Sequence, residues 1–374
     1  MSIQSRINFL QLSRYSFCYG EKTCRNQFER YVDFASINAE YIQQKGSGHY
    51  IATFDLTYLR KAGKSTEGAG KYWSSVANKA IWGLEMGLLS IVDIYHHTAY
   101  HIDAIQTPSL CERTKKDIDL PNHYAQCIIY AKELLSNLLC RFLVVDAYFA
   151  KQGFIDRITT QTPLDIITRL RCDANCKYLY KGPKSTTKGA PRKYDGKIDW
   201  KKPDLNHFVL AFQDLSSKTY HAVVYCAFLK RKISIAFCQQ LNADNSVKSY
   251  KIYACTDTKM TALLIEQYYQ ARFQQEFLIR DAKQHTGLQD CQARSTNKIE
   301  YHANLALTAI NVAKFEHWIG ENKQYQAFSM ADVKTLYHNQ LMMERLFNIF
   351  PNQAEFIKND PKIKELYNFG LIAA

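Results

Sequence analysis

The run Phe142-Leu143-Val144-Val145-Asp146 decides the fold class of this chain. Four consecutive apolar residues, without alternation, are the pattern of a short strand buried on both faces. Asp146 follows at once, which places it at the carboxyl end of a central strand, the edge where open α/β sheets bind ligands. A lone Asp at a strand end is most often a turn former or a helix cap. Its meaning therefore depends on what else reaches that edge.

Upstream, residues 51–59, 83–94 and 99–105 read as strands, and 123–140 as a helix through Tyr124, Ile128, Ala131, Leu135 and Leu138. Residues 4–14 and 22–44 read as helical and end at Gly46-Ser47-Gly48, a natural boundary. Downstream, the β-like runs 207–213, 220–229 and 232–239 predict an antiparallel insertion. Before them, residues 177–202 hold nine Lys and Arg, among them Lys184, Lys188, Arg192 and Lys193, against only Asp195 and Asp199. Gly and Pro interrupt this segment, so it predicts a basic loop. A long helix is expected from near Asp257 to Gly287, and a helical tail from Ala327. The fold class that follows is mixed α/β, with a β-rich insertion and helical ends.

Composition narrows the function classes. The 374 residues are 47% hydrophobic and 22% charged, which is enough apolar material for a large core and excludes a disordered chain. With 48 Lys+Arg against 35 Asp+Glu the formal charge is +13, which favours a polyanionic partner. The 11 cysteines are an odd number in a chain too large to need a disulfide framework, and they suit a reducing cytoplasm. The most apolar stretches are interrupted by Glu85, Asp93, Lys132, Glu133 and Arg141, so no membrane span is expected, and no signal-peptide core follows Arg6 and Arg14. The expectation is a soluble cytoplasmic protein.

Chemistry concentrates on the long helix. At about 100° per residue, Tyr269, Arg272, Glu276, Arg280 and Lys283 fall in one stripe about 80° wide. Leu264, Ala271, Leu278 and Ala282 lie opposite and should pack on the core. A stripe of this kind is ordinarily a solvated, salt-bridged surface. Two carboxylates elsewhere change its meaning. Asp55 lies inside the first strand, on one face with Thr53 and Thr57, and Asp146 ends the buried strand. Three carboxylates from three elements can hold two Mg²⁺ about 4 Å apart, which would activate a water or 3′-hydroxyl and stabilise the leaving oxygen of a phosphodiester. Arg272, Arg280 and Lys283 would then bind phosphates.

Tyr269-x2-Arg272-x3-Glu276-x6-Lys283 resembles the Tyr-Arg-Glu-Lys signature of the insertion-sequence-four family of DDE transposases. The surroundings Ile51-Ala-Thr-Phe-Asp55-Leu-Thr and Leu143-Val-Val-Asp146-Ala-Tyr are similar to that family as well, and the likeness covers about residues 50 to 315. It implies a ribonuclease-H-like core and cut-and-paste movement of DNA, with Asp55, Asp146 and Glu276 as the metal-binding triad. Mg²⁺ is the implied metal, with Mn²⁺ able to substitute. Tyr269, Arg272 and Lys283 would contact the transposon-end strand, whereas Arg280 enters only through the helix-face argument. The implied partners are double-stranded DNA, as terminal inverted repeats and as target, and a second copy of the chain in the DNA complex. The corresponding division is a helical DNA-binding head at 1–48, the first part of the core at 49–172, the basic β-rich insertion at 173–252, the completed core at 253–320 and a helical tail at 321–374. The rivals are a nuclease of the same fold without strand transfer, and a catalytically silent DNA-binding derivative.

Other signals carry less. Ala62-Gly63-Lys64-Ser65-Thr66 resembles the end of a phosphate-binding P-loop, but Tyr58 stands where that loop needs a glycine. Arg60, Lys61 and Lys64 read instead as DNA-facing cations or as a solvated turn. Cys172-x3-Cys176 lacks a second ligand pair and reads as free thiols. His96-His97 reads as a turn. Trp200 is either a base-stacking residue or a partly buried strand residue.

Overall fold

The computed structural model describes every residue except 17, 64, 75–76, 184–189, 320–327, 350–359 and 373–374. Three helices come first, α1 (Phe9–Tyr15), α2 (Glu21–Gln27) and α3 (Phe34–Lys45). Strands β1 (Tyr50–Arg60), β2 (Gly70–Ser74), β3 (Lys79–Asp93) and β4 (Thr98–Gln106) follow. Helices α4 (Leu110–Lys116), α5 (Leu120–Tyr130) and α6 (Lys132–Asn137) lead to β5 (Phe142–Val145), α7 (Gln152–Gln161) and β6 (Asp165–Leu170). Six further strands are β7 (Cys176–Leu179), β8 (Tyr194–Lys197), β9 (Val209–Gln213), β10 (Ser217–Cys226), β11 (Arg231–Leu241) and β12 (Val247–Cys255). The chain closes with α8 (Ala262–Ala271), α9 (Phe273–His285), α10 (Thr296–Ile319), α11 (Met330–Ile349) and α12 (Pro361–Tyr367).

The core order is β4-β3-β1-β5-β6, in which β1, β3 and β4 are antiparallel and β5 and β6 run parallel to β1. A parallel neighbour needs a crossover, which α4 to α6 supply between β4 and β5. This mixed sheet with flanking helices is the ribonuclease-H-like arrangement expected. Strand β5 has the bounds read from the sequence and is covered on both faces. Leu143 and Val145 join the core under α3, α5 and α7, while Val144 joins the core under α8, α9 and α10.

Two expectations change in the folded chain, and the antiparallel β insertion joins the core: β12 pairs with β6, so the antiparallel strands β12, β11, β10, β7 and β8 extend the core sheet into one twelve-stranded sheet. An open edge at β6 would leave backbone donors and acceptors unpaired, and β12 fills it. The helix expected over 123–140 is two helices that meet at Ala131. The helix expected from Asp257 to Gly287 is likewise two, α8 and α9, joined at Arg272. That break shifts the helical phase, so α8 buries Ala262, Ile265 and Tyr268 and leaves Leu264 exposed, contrary to the single-helix reading.

A bulge between β3 and β4 binds the outer helices to the sheet. The register slips between Leu89 and Ser90, which leaves Ile102 as the extra residue of β4. Side-chain amides satisfy the freed backbone. Asn38 Nδ2 of α3 donates to Ile102 O, and Asn311 Nδ2 of α10 donates to His101 O while its Oδ1 accepts from His101 N. Asn304 accepts from Ala104 N and donates to Ala104 O, 2.9 Å in each case. The third helix of the head is thus built into the core. Among the described residues no helix is long and apolar enough to cross a membrane.

Candidate active site

Asp55 and Asp146 are brought side by side by strand register. Strand β1 pairs with β5 through Phe54 and Val145, and each Asp is the next residue of its strand path. Asp55 lies opposite Leu88 of β3, on the face that α9 covers. Asp146 ends β5 and accepts from Tyr148 N at 2.9 Å, so it also caps the short 3₁₀ turn Ala147–Phe149. The ordinary reading of a strand-end Asp, a cap, is therefore correct here. Its backbone carbonyl accepts from Thr168 Oγ1 of β6.

The third carboxylate comes from α9. Arg272, at the junction of α8 and α9, donates from Nη1 to Asp55 Oδ2 at 3.0 Å and from Nη2 to Glu276 Oε1 at 2.8 Å. The guanidinium fork thereby ties the first strand to the helix, with its Nε buried and without a hydrogen-bond partner. Asp55, Asp146, Glu276 and Lys283 all line one cavity of about 960 Å³. Burial raises the Asp55 carboxyl to about 6, against the pull of Arg272 and with the added push of Asp146 and Glu276. Burial raises Asp146 as well. The Lys283 ammonium is lowered by burial. Among the described residues no carboxylate stands within ion-pair reach of Lys283, since Asp281 pairs with Arg280 instead.

As the side chains stand, no group of three or more His, Cys, Asp or Glu among the described residues is gathered closely enough to hold a metal ion. The triad shares a cavity rather than forming a finished cage, with the Arg272 fork between two of its members. The donor chemistry still suits a hard divalent cation. All three side chains offer carboxylate oxygens, the donors such a cation takes.

The remaining expected site residues divide. Tyr269 stacks on Tyr253 at 4.5 Å, and Arg272 lies over the Tyr269 ring at 5.7 Å. Arg280 is exposed, pairs with Asp281 and lies over Phe277, so the structure does not bring it to the cavity wall. Glu276, Arg280 and Lys283 all lie on α9, so the break at Arg272 does not separate them, and it is the pairing with Asp281 that holds Arg280 away. Arg192 pairs with Asp195 and lies over Tyr180, and Lys193 is exposed, whereas Lys184 and Lys188 fall outside the described residues. Lys61 points inward and donates to Cys291 O and Ala293 O, which removes it from the DNA-facing cations, and Lys64 lies outside the described residues. Trp200 is buried with Nε1 donating to Ala174 O, so it stacks on no base.

Four aromatics, Tyr58, Trp73, Tyr148 and Phe149, line the cavity, and the sequence reading assigned none of them to it. Trp73 of β2 is 60% exposed on the same cavity as Glu276, and Tyr148, two residues after Asp146, has the Lys151 ammonium 3.8 Å from its ring centre. The available signal for Trp73 was its place two residues after Lys71, on the exposed face of strand β2. No curated protein matches the chain. The family model described as transposase DDE domain matches residues 126–312, which takes in Asp146, Glu276 and Lys283 and begins after Asp55. That span is half of the 374 residues, and with two of the three cavity carboxylates inside it the chain belongs to the transposase DDE domain family.

Proposed function

We propose that this protein is a transposase of the insertion-sequence-four type, which cleaves DNA at transposon ends and joins the freed ends to target DNA. Membership of the DDE family implies an enzyme that works on DNA. The observation that carries the finer reading is the shared cavity, where Asp55, Asp146 and Glu276 meet the Lys283 ammonium. The Tyr269, Arg272, Glu276 and Lys283 spacing supports the particular type.

Asp55, Asp146 and Glu276 would hold two Mg²⁺, for which Mn²⁺ would substitute. When bound, the metals would supply an activated water or 3′-hydroxyl and a stabilised leaving oxygen. The chain's own groups do the rest. Lys283, partly buried and without a carboxylate partner among the described residues, presents its ammonium to a phosphate of the scissile strand. Arg272 offsets the charge of Asp55 and Glu276 and bridges them. Asp55, with its carboxyl near 6, is ionised at neutral pH and protonated in mild acid, so activity should fall below about pH 6. The +13 charge draws DNA to the surface, and a homodimer would bring two ends together.

The test supplies pre-cleaved ends bearing 3′-hydroxyls together with supercoiled target DNA and Mg²⁺. Joined products are expected. Nicking without joining would reduce the protein to a nuclease of this fold, and neither product would leave a DNA-binding derivative.

A further inference from the structure

The buried stripe of α9 reads Gln275, Leu278, Ile279 and Ala282, at the i, i+3, i+4 and i+7 spacing of a core-facing helix. Three of these are apolar, but the first is an amide, and it is completely buried. Gln275 Nε2 donates to Leu88 O at 2.9 Å and to Ser90 Oγ at 3.2 Å, both on β3. Its Oε1 is buried without a hydrogen-bond partner. A half-satisfied buried amide is not the least costly way to pack a helix on a sheet, because the orphaned oxygen loses its water and gains nothing. What the amide supplies is a fixed distance.

Its two contacts specify which distance. Leu88 is the residue directly opposite Asp55 in the β1–β3 register, and Ser90 is opposite Thr53. Gln275 immediately precedes Glu276 and points about 100° away from it around the helix. One side chain therefore locks the helical residue beside Glu276 to the strand residue beside Asp55. The bond also lies where the β3–β4 register slips, so an ordinary ladder is interrupted at this place.

We propose that Gln275 is a positioning residue that sets the spacing of Glu276 from Asp55, and so the metal affinity of the cavity. The proposal rests on the reading of these carboxylates as metal-holding. Gln275→Met keeps the length and removes both hydrogen bonds. Mn²⁺ binding to the DNA-free protein, measured by the electron paramagnetic resonance of free Mn²⁺, should weaken by about ten- to a hundredfold, the usual cost of losing an outer-shell partner. Binding of end DNA in EDTA should stay within about twofold, and the melting temperature should fall modestly because Leu88 O and Ser90 Oγ lose this donor. Half-maximal cleavage should then need correspondingly more Mg²⁺. A smaller loss of Mn²⁺ affinity, about threefold, is expected for Ser90→Ala, which removes one of the two acceptors and decides the matter if Gln275→Met does not fold. Unchanged Mn²⁺ affinity in the folded variant would overturn the proposal and leave Gln275 a packing residue. Wild-type protein that binds Mn²⁺ no better than Asp55→Asn would instead overturn the metal-holding reading itself, and the two failures are thereby told apart.

Discussion

Two buried polar regions flank the same strands, and they are built to opposite rules. Around the β3–β4 bulge, Asn38, Asn304, Asn311 and His101 are neutral, and the three amides are nearly all hydrogen-bonded to backbone or to one another. Burial there even lowers His101 to about 4, which keeps the ring uncharged. In the cavity, Asp55, Glu85, Asp146 and Glu276 bring four carboxylates together with Arg60 and Lys283, Arg272 bridges Asp55 to Glu276, and burial drives Asp55 up to about 6. A neutral network that is hydrogen-bonded apart from His101 Nδ1 rigidifies a fold, whereas gathered carboxylates cost stability unless cations neutralise them.

The contrast breaks most sharply at the triad. Asp55→Asn, Asp146→Asn and Glu276→Gln should each lower Mg²⁺-dependent cleavage by at least about a thousandfold, roughly 4 kcal/mol of barrier. Binding to end DNA should remain. A variant keeping more than a few per cent of activity would take its residue out of the site. On the amide side the effect should reverse. Asn311→Leu orphans buried groups of His101 and Asn38 and should cost about 2–4 kcal/mol of stability, read by urea unfolding, while the folded fraction cleaves at the normal rate.

The pH dependence sharpens the same comparison. Because the Asp55 carboxyl is raised in the folded state, its protonated form favours folding. That contribution is full below about pH 4 and is lost as the pH rises through about 6. Wild type should therefore lose about 2–3 kcal/mol relative to Asp55→Asn between these limits. A constant difference across that window would mean that burial does not raise the Asp55 carboxyl. Lys283→Met should slow cleavage by about 1–3 kcal/mol of barrier without altering sequence preference. Normal kinetics with a shifted melting point would make Lys283 structural. Smallest is the basic segment: converting Lys184, Lys188, Arg192 and Lys193 to Gln should weaken all DNA alike and flatten the salt slope by a few units at most. An unchanged slope would mean that these cations are only solvated.

Much of the fold was legible because periodicity reports burial locally. Strand β5 was read to the residue, since four apolar side chains in a row have no reading as an exposed strand. Strands β1, β3 and β4 were read to within a few residues. Strand β12 escaped because its first residues are exposed and charged, and only its last four, Ile252 to Cys255, are buried against β6 and β11. The break at Arg272 was illegible for another reason. Nothing in Gln270-Ala271-Arg272-Phe273 interrupts helix propensity, and the turn is held by two ion pairs to residues 217 and 4 positions away.

By itself the sequence determined the chemistry available: three carboxylates, each on a strand or helix read from its period, and the spacing of Tyr269, Arg272, Glu276 and Lys283 along the chain. It determined this because strand and helix periods are set by the backbone alone. Tertiary structure decided which charges meet. Arg280, next to an acid in the chain, turned to Asp281 and left the cavity, while Arg272 bridged β1 and α9. Lys61 and Trp200, polar-looking and surface-like in the chain, went to buried carbonyls. Ion pairs and hydrogen bonds form between groups distant in sequence and depend on angstrom-scale separation and on water exclusion, and one-dimensional spacing carries neither.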